Sequence, residues 1–147
     1  MKNKGHSAFN WLDHELNYAG LHDNWSQDEV HDWLYMMVSA DWEALDAAWS
    51  RRSIAWKRVC TFVLGLGPSE GQSLLKRALC EDNIEIVITA AISLSQMVMN
   101  ASEDAELQEI VLDQDTLLRL RNVVEVNPQG EVDELKELVK QIDQLYN

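Results

Sequence analysis

The chain has little of what staples or punctuates a fold. Only two cysteines, Cys60 and Cys80, occur in 147 residues. Both fall inside helical patterns and read as small buried apolar residues rather than halves of a disulfide, so a reducing cytoplasm is the simplest home. Two prolines and six glycines are present and none lies in a flexible tract, which leaves no low-complexity linker to divide the chain. Strand signals are weak. The β-branched run Ile84–Ile88 continues into Thr89-Ala90-Ala91-Ile92-Ser93-Leu94, a length and character that belong to a helix. No apolar run reads as long enough to span a bilayer. The first 15 residues meet acids before any apolar core builds up, unlike a secretory signal.

Positive charge is scarce as well. Lysine and arginine number 12 against 25 acids, a net charge of −13, and the imbalance is uneven. Residues 1–50 carry −7, residues 51–80 carry +5 and residues 81–147 carry −11. Such an excess repels nucleic acid and anionic membranes, and it attracts basic proteins and speeds their encounter. It also serves solubility. For the basic cluster Arg51, Arg52, Lys57 and Arg58 a structural role is expected, with Arg52 and Arg58 paired to acids of neighbouring helices, and not nucleic-acid binding.

What the chain does have is helical periodicity throughout. A first helix is expected over Ser7–Ala19, with Phe9, Leu12 and Leu16 on one side. A second follows the capping-box pair Ser26 and Glu29, with Val30, Trp33, Leu34, Met37 and Val38 inward. A third begins near Asp41, and a fourth runs to Gly65 with Trp56, Val59, Cys60, Val63 and Leu64 inward. Gly65-Leu66-Gly67-Pro68 breaks the chain, and Ser69 with Gln72 resembles another capping box. A long helix is expected from Ile84 to Met99 and a short one over Leu107–Val111. Another helix is lined by Leu117, Leu118, Leu120, Val123 and Val124, and the last by Val132, Leu135, Leu138, Val139, Ile142 and Leu145.

The segment Val59–Leu64 is answered by Thr89–Leu94, 30 residues later, a spacing typical of stacked helical hairpins. The carriers of the pattern are Trp56-Lys57-Arg58, Val63-Leu64-Gly65, Leu74-Leu75, Ala78-Leu79, Glu81-Asp82, Glu85-Ile86-Val87, Ala90-Ala91 and Leu94. In these residues the chain resembles the short HEAT-like repeats first described in phycobilisome lyases. The resemblance covers about 45 residues from Trp56 and loosens beyond, where Ser95 stands in place of the glycine step. It implies an all-α, HEAT-like, right-handed stack of antiparallel helical hairpins (an α-solenoid). The chain would then be one domain, with residues 1–50 as an atypical tryptophan-rich start and residues 51–147 as the hairpins. Such stacks are usually binding scaffolds. In its size, acidity and tryptophan-rich start the chain is also similar to bacterial immunity proteins, which neutralise a toxin domain.

No catalytic constellation is evident. Neither cysteine has a histidine near it in sequence, and Gly65-Leu66-Gly67 sits at a helix C-terminus, where carbonyls repel phosphate. His6, His14, His22 and His31 are eight or nine residues apart, which does not place metal ligands on adjacent helical turns. No metal and no cofactor are expected. The candidate partner-binding residues are acids and tryptophans. Glu103, Glu106, Glu109 and Asp113 are expected on one helical face, extended by Glu131, Glu134 and Glu137 on the last helix, with Trp25 and Trp42 as aromatic anchors. The expected function is a cytoplasmic, non-enzymatic immunity protein whose acidic surface docks a basic toxin domain such as a nuclease. An adaptor or assembly subunit is the alternative, and a chromophore-lyase-like enzyme the third reading.

Overall fold

The computed structural model describes residues 8–18, 27–103, 112–126 and 133–146. These form eight α-helices and no strand: α1 (Ala8–Tyr18), α2 (Gln27–Met36), α3 (Ser39–Trp49), α4 (Ile54–Leu64), α5 (Gln72–Ala78), α6 (Ile84–Glu103), α7 (Gln114–Val126) and α8 (Asp133–Tyr146). A short 3-10 turn, Ser69–Gly71, precedes α5. The all-α expectation holds, and Ile84–Ile88 lies within a helix.

Helix α6 is the centre of the molecule and packs against α4, α5, α7 and α8. On the other side of α4, helix α1 contacts α2, α3 and α4. The 30-residue periodicity survives in space. Trp56, Cys60, Thr61, Val63 and Leu64 of α4 are buried, and so are their counterparts Ile86, Ala90, Ala91, Ser93 and Leu94 of α6; Ile54 and Ile84, at the two helix starts, are both exposed. The caps repeat with the same spacing. Ser53 Oγ accepts the Trp56 N–H at 3.1 Å, Asn83 Oδ1 the Ile86 N–H at 3.2 Å, and Asp113 Oδ1 the Thr116 N–H at 2.9 Å.

The repeat diverges after the cap and the first three turns. Helix α4 ends at Leu64, and a Cβ at Gly65 would lie 2.9 Å from Ser93 Cβ and 3.1 Å from its Cα. The close crossing of α4 on α6 therefore depends on a residue without a side chain. In α6 the equivalent position is Ser95, and no glycine or proline follows it, so the helix runs on for another two turns to Glu103. The expected end at Met99 and the break over Asn100–Ser102 are thus corrected. So is the absence of a long apolar segment: Ile84–Ala101 has a mean hydropathy of 1.5 and is long and apolar enough to cross a membrane, with half of it buried inside the molecule. A helix flanked by four others must be apolar on most of its circumference, which gives it that composition.

Other expectations fail locally. Helix α3 starts at Ser39 because the Asp41 carboxylate reaches back to the Val38 N–H at 3.0 Å, which makes Asp41 its third residue. Val38, expected inward, is the extended residue between α2 and α3 and is exposed. Leu118 is exposed, while Leu117, Leu120 and Val123 line the core. Ser69 opens the 3-10 turn and caps nothing, and α5 begins three residues later. Cys60 is buried, but Cys80 follows the end of α5 and is exposed, its thiol donating to the Lys76 carbonyl at 3.8 Å. Glu29 lies in α2, but its side chain, its expected capping partner Ser26 and the helix expected over Leu107–Val111 are outside the described set.

Candidate functional site

The basic residues of the middle segment are spent inside the molecule. Trp56 and Trp49 are buried and meet edge to face, their ring centroids 6.2 Å apart. A buried indole N–H needs an acceptor, and each finds a carboxylate from a distant helix or turn. Trp56 Nε1 donates to Asp13 of α1 at 2.9 Å, and Trp49 Nε1 donates to Glu81, between α5 and α6, at 2.8 Å. Each carboxylate also holds a cation that lies over the same ring. Arg52 donates to Asp13 through Nε at 3.0 Å and Nη2 at 2.8 Å, and its guanidinium is 5.5 Å from the Trp56 centroid. Lys57 donates to Glu81 at 3.3 Å and lies 5.3 Å from the Trp49 centroid. Two trios of indole, carboxylate and cation thus tie α1, α3, α4 and the α5–α6 turn together. Burial pushes the Cys60 thiol beside them far up, with the Asp13 charge adding to the effect, so the sulfur stays protonated and inert.

Four further arginines are paired, while Arg51 is exposed and in no ion pair among the described residues. Arg58 pairs with Glu85, Arg77 with Asp46, Arg119 with Asp115 and Arg121 with Asp143, the last clamping α7 to α8 through Nη2 at 2.7 Å and Nε at 3.1 Å. The buried Asp41 accepts the Phe9 N–H of α1 at 3.3 Å besides that of Val38, and so serves two helix starts. In contrast, the exposed carboxylates of Glu43, Glu70, Asp82, Glu125 and Glu137 have no cation within ion-pair distance among the described residues. Among those residues no group of histidine, cysteine and acidic side chains could hold a metal ion.

A surface cleft of about 490 Å³ opens where the start of α3 faces the 3-10 turn and α5. Ser39 and Trp42 form one wall; Ser69, Glu70, Gln72 and Ser73 form the other, with Lys76 at its edge. The Gly65–Pro68 break shapes it. A Cβ on Gly67 would lie 2.9 Å from Leu34 Cδ1, so the bare glycine lets the end of α2 seat directly against the turn. Lys76 donates to Gln72 Oε1 at 3.2 Å. Desolvation lowers its pKa, and the charge of Asp113 opposes that shift. At the end of α2 and the link to α3, Tyr35, Met36 and Val38 are exposed at 57%, 59% and 63%. Tyr35 stacks on His31 at 4.5 Å.

The candidate residues divide accordingly. Trp42 lines the cleft, half-buried, its ring packed against the core. Asp113 does not share a helical face with Glu103; it caps α7, and its hydrogen bonds with Thr116, ahead of the nearby Lys76 charge, hold its carboxyl below the usual range. Glu137 is exposed on α8, but Lys136 and Lys140 are exposed beside it, which breaks the expected acidic continuity. Glu103 and Glu134 lie in α6 and α8, with side chains outside the described set; Glu106, Glu109, Glu131 and Trp25 are outside the described residues altogether. Sequence reasoning missed Ser39, Glu70 and Lys76. The signal available was the Gly-Pro break, read as punctuation only. Comparisons with family models, with curated proteins and with solved structures find no match to this chain.

Proposed function

We propose that this protein is a binding module for a cationic protein, and specifically an immunity protein that neutralises a basic toxin domain such as a nuclease. The observation that carries this reading is the distribution of charge. Six of the lysines and arginines are bound to carboxylates within the chain, while exposed acids stand without cations. The field at a distance is that of the −13 net charge, with Arg51, Lys136 and Lys140 as exposed cations outside any ion pair among the described residues. Such a field steers a basic partner and rejects polyanions. We read the architecture that presents it as HEAT-like, on the strength of the 30-residue repetition of cap and burial between α4 and α6.

The test is binding to the toxin domain encoded beside this gene. The pair should co-purify, and association should slow steeply between low and high salt. Replacing Glu43, Asp82 and Glu125 together by lysine should slow association about ten-fold at low ionic strength, with the far-UV helical signal intact. A neighbouring toxin that fails to bind would overturn the immunity reading, and binding indifferent to salt and to these reversals would overturn the electrostatic one. An adaptor would instead co-purify with several unrelated partners.

A further inference from the structure

We infer that the cleft between α3 and α5 is a receptor for one arginine or lysine side chain presented by the partner protein, with Trp42 as its aromatic wall and Glu70 as its counter-ion. This inference rests on the cationic-partner reading above and gives it an address. Its ground is a comparison within the molecule. Twice the chain solves the same local problem with the same three groups: Trp56, Asp13 and Arg52, and again Trp49, Glu81 and Lys57. In each trio an indole face and a carboxylate hold a cation between them.

Trp42 and Glu70 are a third indole and a third carboxylate, lining one cleft that is open to solvent. Neither makes a side-chain hydrogen bond or ion pair among the described residues. The lysine at the edge of the cleft does not complete the set. Lys76 donates to Gln72 instead of Glu70, and no cation–ring contact joins it to Trp42.

The cleft volume, about 490 Å³, is ample for a guanidinium and its alkyl stem. Around it, Ser39, Ser69 and Ser73 supply hydroxyl oxygens that can accept the N–H groups a single carboxylate leaves unsatisfied. Val38, directly before Ser39 in the chain, is an exposed apolar residue available to the same partner. A planar, weakly hydrated guanidinium suits an aromatic wall better than an ammonium does, so arginine is the preferred occupant.

The experiment is a titration followed by the indole N–H resonances of ¹⁵N-labelled protein, with Trp42 assigned from the Trp42→Phe variant. The probe is N-acetyl-arginine methylamide, and the control is its neutral isostere N-acetyl-citrulline methylamide. The Trp42 resonance should move saturably with the arginine probe, more weakly with the lysine analogue, and not with citrulline. Glu70→Gln, which keeps shape and removes charge, should weaken the arginine response about five-fold. An equal response to citrulline, or a response unchanged in Glu70→Gln, overturns the proposal, as does no response at all.

The two readings fail separately. A toxin domain bound with undiminished affinity by Trp42→Phe and Glu70→Gln would overturn the receptor and leave the immunity function standing. An arginine response in a protein that binds no toxin would do the reverse.

Discussion

The tryptophan-rich junction of α1, α3 and α4 and the acidic surface of α7 and α8 handle charge in opposite ways. At the junction, carboxylates face inward across long sequence separations, 32 residues for Trp49–Glu81 and 43 for Trp56–Asp13, and each is shared by an indole and a cation. On α7 and α8 one half-buried pair, Arg121 with Asp143, clamps the two helices, while Arg119 reaches Asp115 one turn away on the surface and Glu125 and Glu137 face water. Identical residue types thus fix the fold in one region and set the external field in the other. Burial makes the difference, because a pair held at low dielectric beside an aromatic ring resists screening and an exposed pair does not.

The largest way to break this contrast is Trp56→Ala. The side chain is 2% exposed, and its loss opens a cavity and leaves Asp13 and Arg52 without their aromatic neighbour. Urea denaturation should show a loss of about 3–5 kcal/mol, a large share of the about 5–15 kcal/mol that holds a typical domain together. Trp56→Phe goes part of the way, since it keeps a six-membered aromatic ring and removes the N–H together with the rest of the pyrrole ring. A loss in Trp56→Phe as large as in Trp56→Ala would show that the hydrogen bond to Asp13, and not packing, holds the junction. In the acidic region no single reversal should come near this value; Glu125→Lys should stay within about 0.5 kcal/mol of the parent.

A second contrast lies within the repeat, between Gly65 and its counterpart Ser95. Gly65→Ala forces a Cβ to within 2.9 Å of Ser93 Cβ and 3.1 Å of its backbone Cα, so α4 and α6 must move apart. The expected cost is about 1–3 kcal/mol. Ser95 is fully buried, and its hydroxyl finds no partner. Ser95→Ala should therefore stabilise, by about 1 kcal/mol. The same new residue at equivalent positions should shift the urea midpoint in opposite directions. A midpoint raised by Gly65→Ala would show that the helices cross with slack.

These particulars show which parts of the molecule were legible in the sequence. The all-α class, the break at Gly65–Pro68 and the inward placement of Trp49 and Trp56 follow from local pattern, because propensity and periodicity act over a few residues. The pairing of Arg52 and Arg58 with acids was legible as a class of interaction; the identities of Asp13 and Glu81 were not, since nothing local distinguishes them from Asp32 or Asp82. The end of α6 was misjudged because Asn100 and Ser102 suggest a stop that tertiary packing overrides. Asp113 was misjudged for a related reason: as a short acid between apolar runs it suits a helix face and an N-cap equally, and the backbone alone decides. The cleft could not be anticipated, because Trp42 and Glu70 are 28 residues apart and line one cleft only through the tertiary placement of α3 against the 3-10 turn and α5.

The smallest expected effect concerns Asp113, which crosses the line between the two regions: an acid of the negative tail that acts as a fastener. Its carboxyl is held below the usual range chiefly by hydrogen bonds from Thr116. A group whose folded pKa is depressed contributes stability above its unfolded pKa and loses it as pH falls through the folded value. The cap therefore acts fully at neutral pH and fades on acidification below about pH 4. Asparagine caps about as well as aspartate but does not titrate, so Asp113→Asn should match the parent at pH 7 and show a shallower loss of stability on the acid side. Because the carboxylate is exposed, the difference will be small and best read from paired urea midpoints between pH 5 and 3 (the window set by the ordinary carboxylate range). Superimposed pH profiles would mean that Asp113 titrates as it does in the unfolded chain, and its place would then be with the outward-facing acids after all.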